Sequence, residues 1–512
     1  MTITDWQQKV AAKQAEAAGK IPTEWRLSPE ILQQVSADKE RTFFDIPRES
    51  GLLTAHELAI TEIQDATELR DQLAAGKLSA VDVTTAFCKR AAIAQQVTSC
   101  LTETLFPQAL ERAKQLDEHL ATTGKPIGPL HGLPVSIKES FSIRGIPTSL
   151  GFVSFLDRPP LDNNSATVDI LLKAGAVLYV KTNIPQTMLT ADSHNNVFGR
   201  VKNPHRQTLT AGGSSGGEGA LVAMRGSILG IGTDVAGSIR IPSICCGTVG
   251  FKPSVGRVPY AGQTGPGRAG MAGVGIPAVA GPLCHSVRDA ELLLKVVCDT
   301  SAEGILEDDV ALGFPWIQPS QPQSTTLTIG VLPEDPQFPL HPNMQRTLTI
   351  AAEKLAAAGH RIVDLSGKES PSQADVKDLA LKFFGMDPDG TPLKHIANGN
   401  EPVIPSLGFT YDLESKGPEP TLRDLFKLNV AREEINATMR RVYRENQLDI
   451  ILSPAFQSCA VPHDTYRVPV YTILPNLVDV FSTPFCSPRC SLKSDADDGL
   501  VPCLHHPLWQ SR

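Results

Sequence analysis

Residues 211–243 read AGGSSGGEGALVAMRGSILGIGTDVAGSIRIPS. Two small-residue clusters, Gly212-Gly213-Ser214-Ser215-Gly216-Gly217 and Ala236-Gly237-Ser238, flank one short helix-forming stretch. Ser214 and Ser238 each sit among glycines, where a backbone can bend sharply and approach a ligand closely. A serine hydroxyl becomes a nucleophile only beside a base. Upstream, Lys138 stands near the end of LPVSIKES, an apolar strand-like run. A lysine amine, with an ordinary pKa of about 10.4, is charged at neutral pH and a poor base. Burial among Leu133, Val135 and Ile137 would penalise the ammonium and free the amine for that work. Two glycine-framed serines and a lysine on an apolar strand are the parts of a Ser-Ser-Lys hydrolase.

Other chemistries fit the same residues less well. Gly212-x-Ser214-x-Gly216 also satisfies the nucleophile-elbow spacing of an α/β-hydrolase, and Asp449 and His463 follow in the required order. That elbow needs a buried strand directly before it, whereas KNPHRQTLTA (202–211) is polar and contains proline. Gly230-x-Gly232 lacks the third glycine of a dinucleotide fingerprint, and no Walker A string is present. A Gly/Ser-rich run is usually a flexible linker, but here an apolar stretch and a second glycine cluster follow it. Asp234 and Arg240 flank Ser238 and suit a buried ion pair that shapes the turn. Cys486, Cys490, Cys503, His505 and His506 form a weak metal-ligand cluster, and no metal is expected.

The strings HGLPVSIKES (131–140), GGSSGGEGA (212–220), GTDVAGSIRIPS (232–243) and CGTVGFKPS (246–254) together resemble the amidase signature family, most of all its fungal acetamidase-type branch. The resemblance runs from about residue 20 to about residue 480. Ala236 stands where many relatives carry glycine. The resemblance implies Ser238 as nucleophile, Ser214 as bridging serine after a cis peptide, and Lys138 as general base. It implies an oxyanion hole from the backbone N–H groups of Val235, Ala236, Gly237 and Ser238. The implied reaction is hydrolysis of a carboxylic acid amide to the carboxylate and ammonia or an amine, through an acyl-enzyme, with no cofactor. An amidotransferase subunit of the same family, or a catalytically impaired relative, are the alternatives. Pro185–Phe198 resembles a segment near the family's substrate channel, which makes Met188 and Leu189 candidates for an acyl pocket. The expected partner is a small or medium neutral amide, and the resemblance leaves room for a homodimer.

The elements that must position these residues alternate between the two kinds. Helices are expected over 6–19, 79–96, 165–174, 217–226, 286–298, 342–358 and 420–446. Strands are expected over 133–138, 176–181, 326–332, 361–365 and 448–454. Thr54-x-x-Glu57 and Ser79-x-x-Asp82 have the spacing of capped helix starts. Such alternation implies an α/β fold. The resemblance narrows this to a single large domain, a mixed central β-sheet covered by helices on both faces. The expected organisation is an N-terminal helical extension (1–50), a catalytic domain (51–480) and an atypical tail (481–512). That tail shows neither helical nor strand period and reads as a non-homologous replacement.

Composition agrees with a large globular enzyme. The chain has 512 residues, 41% hydrophobic and 20% charged, with a formal net charge of −8, which argues against nucleic acid as a partner. No apolar run approaches the ~18 residues of a transmembrane helix, and the N-terminus lacks the apolar core of a secretory signal. The 10 cysteines are scattered without a C-x-x-C pair and read as reduced thiols, so a cytoplasmic location is expected.

Overall fold

The computed structural model describes residues 5–271, 275–299, 306–317, 326–411, 413 and 418–484, with the backbone of Cys503–His506. Its strands, in chain order, are β1 (Leu101–Thr104), β2 (Pro134–Lys138), β3 (Val177–Thr182), β4 (His194–Asn195), β5 (Gly199–Arg200), β6 (Leu229–Asp234), β7 (Val249–Gly250), β8 (Val279–Cys284), β9 (Thr328–Val331), β10 (Arg361–Asp364), β11 (Ile450–Ser453), β12 (Phe481–Pro484) and β13 (Cys503–His506). Six of them form the central sheet in the order β1-β3-β2-β6-β8-β7. The sheet is mixed, as expected: β2 runs parallel to β3 and to β6, while β1, β8 and β7 pair antiparallel with their neighbours.

The middle strands are buried along their whole length. Strands covered on both faces read as nearly continuous apolar runs, so the polar residues inside them demand partners. On β2, Ser136 and Lys138 share one face because side chains alternate. Both point at the segment that begins with the glycine cluster: Ser136 donates to Glu218 and Lys138 to Ser214. The cluster itself leads into helix Gly216–Ala223, which is buried from Gly216 to Val222. Its glycines serve closeness rather than mobility. A Cβ at Gly217 would run into the backbone of Asn183 and Cys100.

Around the sheet lie helices whose ends follow local chemistry. Helix Ala80–Thr98 starts where the Ser79 side chain accepts from Asp82 N–H and stops at Ser99, which has φ of 56°. Thr54 and Glu57 make a complete capping box before helix Ala55–Thr61. Among the described residues no helix is long and apolar enough to cross a membrane.

Three of the expected strands do not join the central sheet. β9, β10 and β11 lie in a second, five-stranded sheet ordered β10-β9-β11-β13-β12. Helix Gln373–Phe384 and helix Val470–Leu477 pack on it through Phe383, Ile473 and Leu474, next to Ile451. Alternation of helix and strand reports that sheets exist but not how many, since that depends on which edges pair.

The region read as patternless also departs from expectation. Phe481–Pro484 and Cys503–His506 are strands of the second sheet. Ser482 exchanges backbone hydrogen bonds of 2.8 and 2.9 Å with Lys252, just beyond β7. Periodicity fails on segments of four residues because two or three alternations carry no signal. The side chains of the Cys486, Cys490, Cys503, His505 and His506 cluster lie outside the described residues. Among the described residues no group of three or more His, Cys, Asp or Glu could hold a metal ion.

The tight seat of helix Gly216–Ala223 makes a signed prediction. Helix propensity alone favours Gly217→Ala by about 1 kcal/mol. Backbone atoms cannot yield as side chains do, so an overpacking cost typically of about 1–3 kcal/mol, and more where the backbone must shift, should win and leave a net loss. The urea midpoint of this variant is expected below that of the wild type, and an increase would refute the packing argument.

Candidate active site

β2 delivers Lys138 into the interior with none of its surface exposed. Its Nζ lies 2.7 Å from Ser214 Oγ and 2.7 Å from Thr233 Oγ1. Burial pushes the Lys138 amine down to about 7, against the opposing pull of Asp234 and Glu218. A lysine in that condition is available as a base near neutral pH. Ser214 follows a cis peptide from Gly213, and its side chain is almost wholly buried.

Ser238 stands on the turn between β6 and helix Arg240–Cys246. Its carbonyl accepts from Ser215 N–H at 3.1 Å, which holds the two glycine clusters together. Its side chain faces a pocket lined also by Met188, Leu189, Leu381, Phe384 and Ile473. Among the described residues no charged side chain lines that pocket. Met188 and Leu189 are therefore where the resemblance implied. Leu381, Phe384 and Ile473 were not foreseen, because they belong to the second sheet's helices, over 140 residues away in sequence.

The turn carrying Ser238 is held from inside. Arg240 and Asp234 form the expected ion pair, Nη2 to Oδ1 at 2.9 Å, with both side chains fully buried. Asp234 also accepts from Gly237 N–H at 2.8 Å and Ile239 N–H at 3.1 Å. Burial alone would raise the Asp234 carboxyl, but the charge and hydrogen bonds of Arg240 outweigh it and hold the group well below the ordinary carboxylate range. Of the four expected oxyanion donors, Gly237 thus spends its N–H on Asp234. Among the described residues, the N–H groups of Val235, Ala236 and Ser238 have no protein acceptor. Gly237 contributes the bend instead: its φ is +126°, and a Cβ there would collide with Thr472 Oγ1.

A second set of contacts reaches the turn from helix Val470–Leu477. Thr472 Oγ1 donates to Ala236 O at 2.6 Å. Asn476 Nδ2 donates to Asp234 Oδ1 at 3.0 Å, and its Oδ1 accepts from Arg240 Nη2 at 2.5 Å. Neither residue was singled out for the site from sequence. An Asn inside an apolar helix was the available signal, since buried amides need partners.

The residues of the elbow alternative do not assemble. His463 Nε2 lies 3.0 Å from Gln207 O, and Nδ1 lies 3.5 Å from Asp192 Oδ2. Asp449 Oδ2 accepts from Thr328 N–H in the second sheet. Ser214 has Lys138, not a histidine, as its side-chain partner.

A family model described as Amidase matches residues 82–488. The chain belongs to the amidase family. An amidase of Gibberella moniliformis is 38% identical over 501 residues, covering 98% of this chain and 93% of that protein. An acetamidase of Emericella nidulans is 35% identical, covering 93% of this chain and 86% of that protein. Among solved structures, a fatty acid amide hydrolase superposes with a TM-score of 0.87 at 30% identity, covering 98% of this chain and 92% of the other. A bacterial aryl acylamidase of the amidase signature family, at 21% identity and a TM-score of 0.71, bears on the fold alone. This amidase is a hydrolase acting on amide bonds, and its fold is the amidase signature fold.

Two variants test the architecture of the site. Arg240→Met leaves Asp234 buried without its counter-charge, a loss typically of about 3–5 kcal/mol. Urea denaturation should show that loss, and Asp234→Asn added to it should recover part. His463→Ala should leave kcat/KM for amide hydrolysis close to wild type. A folded but inactive His463→Ala enzyme would restore the histidine-based scheme.

Proposed function

We propose that this amidase hydrolyses a neutral carboxamide through an acyl-enzyme on Ser238, with Ser214 as proton relay and Lys138 as general base. The observation that carries this reading is the 2.7 Å contact between the buried Lys138 amine and Ser214 Oγ, with Ser214 directly following Gly213, which lines the pocket together with Ser238. Neutral Lys138 accepts the Ser214 proton while Ser214 accepts that of Ser238. Ser238 Oγ attacks the amide carbon. The oxyanion is received by the N–H groups of Val235, Ala236 and Ser238, with Gly237 shaping the turn that aims them. One such donor is typically worth about 3 kcal/mol in the transition state. The tetrahedral intermediate collapses as the proton returns through Ser214 to the leaving nitrogen. Water then attacks the ester by the same relay in reverse roles and releases the carboxylate.

Ser238 Oγ makes no hydrogen bond among the described residues, so the Ser214–Ser238 link is the one that substrate tightens. Catalytic hydrogen bonds commonly close only in the Michaelis complex. The uncharged lining supports a neutral substrate. Near-full-length likeness to an amidase and to acetamidases supports a free-standing enzyme of small or medium amides. Ammonia release by the purified chain alone checks this against an amidotransferase subunit.

Ser238→Ala should abolish turnover, and a fluorophosphonate probe should label Ser238 in the wild type. An adduct mapped to Ser214 would overturn the assignment of the two serines. The base sets the pH dependence. Burial lowers Lys138 to about 7, and the reactive form is the neutral amine. Activity should therefore be full above that pH and fall roughly tenfold per unit below it. A kcat/KM profile that stays flat into acid would contradict a lysine base.

A further inference from the structure

The proposed chemistry leaves one buried carboxyl beside the base unused. Glu218, in the first turn of helix Gly216–Ala223, has none of its surface exposed. Ser136 Oγ donates to its Oε2 at 2.6 Å and Thr182 Oγ1 to its Oε1 at 2.9 Å. Ser136 precedes Lys138 by two residues on the same face of β2, a step of ~7 Å along a strand. Thr182 is the residue of β3 in register with Lys138. The carboxyl is thus fixed by one hydroxyl from the strand that carries the base and one from its neighbour β3. Gly230 of β6 completes the seat, since a Cβ there would strike Oε2.

The hydroxyls continue beyond the carboxyl. Ser136 Oγ is 2.7 Å from Ser227 Oγ, which donates to Leu229 O at 3.1 Å. A chain of hydroxyls can point either way because each is both donor and acceptor. With Glu218 ionised, Ser136 donates to it. With Glu218 protonated, the acid donates to Ser136, Ser136 to Ser227, and Ser227 to the carbonyl. The site satisfies its polar atoms in both protonation states.

We propose that Glu218 is a positioning residue for the base: its carboxyl, held by Ser136 and Thr182 beside Lys138, exchanges charge in step with the lysine and so sets the pH at which Lys138 becomes a free amine. This rests on Lys138 being the base. An ionised Glu218 favours the Lys138 ammonium, and a neutral one favours the free amine. Burial pushes the Glu218 carboxyl up to about 7, against the hydrogen bonds of Ser136 and Thr182 and the charge of Lys138. Both groups therefore change charge over the same range. Glu218 does not line the pocket that holds Ser238, so it acts through Lys138 and not on substrate.

Other titratable groups face this pair. Asp234, with Arg240 beside it, acts on Lys138 from the end of β6 and keeps its charge over the whole range. Burial raises the Tyr260 phenol, which meets Thr233, to about 12. Burial likewise raises Cys100 to about 12 and Tyr179 well above its ordinary value, so both stay neutral beside Glu218. Burial lowers Lys252, near Asp234, to about 8. Its titration is common to wild type and variant, so a difference between them reports Glu218.

The test is the rate at which a fluorophosphonate labels Ser238 in the full-length chain, from about pH 5 to about pH 9, which needs no knowledge of the natural amide. Glu218→Gln keeps the size of the side chain and removes its charge. Its amide can donate to Ser136, which then turns its own proton to Ser227 as it does beside the protonated acid. The acid limb should move to lower pH by roughly one unit, because the ammonium loses a counter-charge within the same buried region. Thr182→Val provides an independent route if Glu218→Gln fails to fold. It removes a donor that favours the ionised carboxyl and should move the limb in the same direction by less. Limbs that coincide with the wild type in a folded variant overturn the proposal. Lys138→Ala separates the two readings. If it abolishes the limb while Glu218→Gln leaves it in place, only the role of Glu218 fails. If Lys138→Ala keeps the limb, the base assignment fails and the role of Glu218 with it.

Discussion

The buried pair of Asp234 and Arg240 is the constraint on which the site depends. Two unit charges in the interior are tolerated only when their remaining hydrogen-bonding groups are also satisfied. That requirement recruits the surroundings. Asp234 takes the N–H groups of Gly237 and Ile239, and Arg240 takes the Thr472 carbonyl and the Asn476 amide oxygen. The turn with Ser238 is wound around one carboxylate. Because Thr472 and Asn476 lie on a helix of the second sheet, the same pair also docks the two halves of the fold. A change at either charge therefore reaches both stability and the shape of the turn that carries Ser238.

The proposed chemistry asks for the opposite treatment of Lys138. Here burial comes without a carboxylate in contact: among the described residues Nζ hydrogen-bonds only to hydroxyls, those of Ser214 and Thr233. A close counter-charge would hold the proton on the amine and spoil the base. Complete removal of charge would leave the amine too weak to pull a proton through two serines. The site lies between these limits, with Asp234 and Glu218 near enough to act through space and neither bonded to the amine. In one fold, burial makes Arg240 a fixed strut and Lys138 a titratable group, and the difference is the partner each was given.

The pocket follows from how the two sheets meet. The central sheet supplies Lys138 and the turn with Ser238. The helices of the second sheet supply Leu381, Phe384 and Ile473 as an apolar wall. The proposed reacting groups and the apolar wall of the pocket thus come from separate parts of the chain. Substitutions in helix Gln373–Phe384 can reshape the wall without touching β2 or the turn.

Much of this was present in the order of residues. Lysine at the end of an apolar strand, serines framed by glycine, and the Asp234/Arg240 spacing each carry a local signal, because burial on a strand, sharp backbone bends and a short ion pair depend on near neighbours. Strands β2 and β3 were legible for the same reason, whereas β6 (Leu229–Asp234) was not among the expected strands and the mixed sheet was implied only by the family resemblance. The second sheet, the strand at Phe481–Pro484 and the reach of Thr472 and Asn476 into the turn were not. Each depends on which distant edges and faces meet, and a hydrogen bond spanning 236 residues leaves no period in either partner. Gly237 shows the division within one residue. Its small size beside Ser238 announced a bend. Only the packed turn decided that its N–H would serve Asp234, because a buried carboxylate takes whatever donors the fold brings within reach.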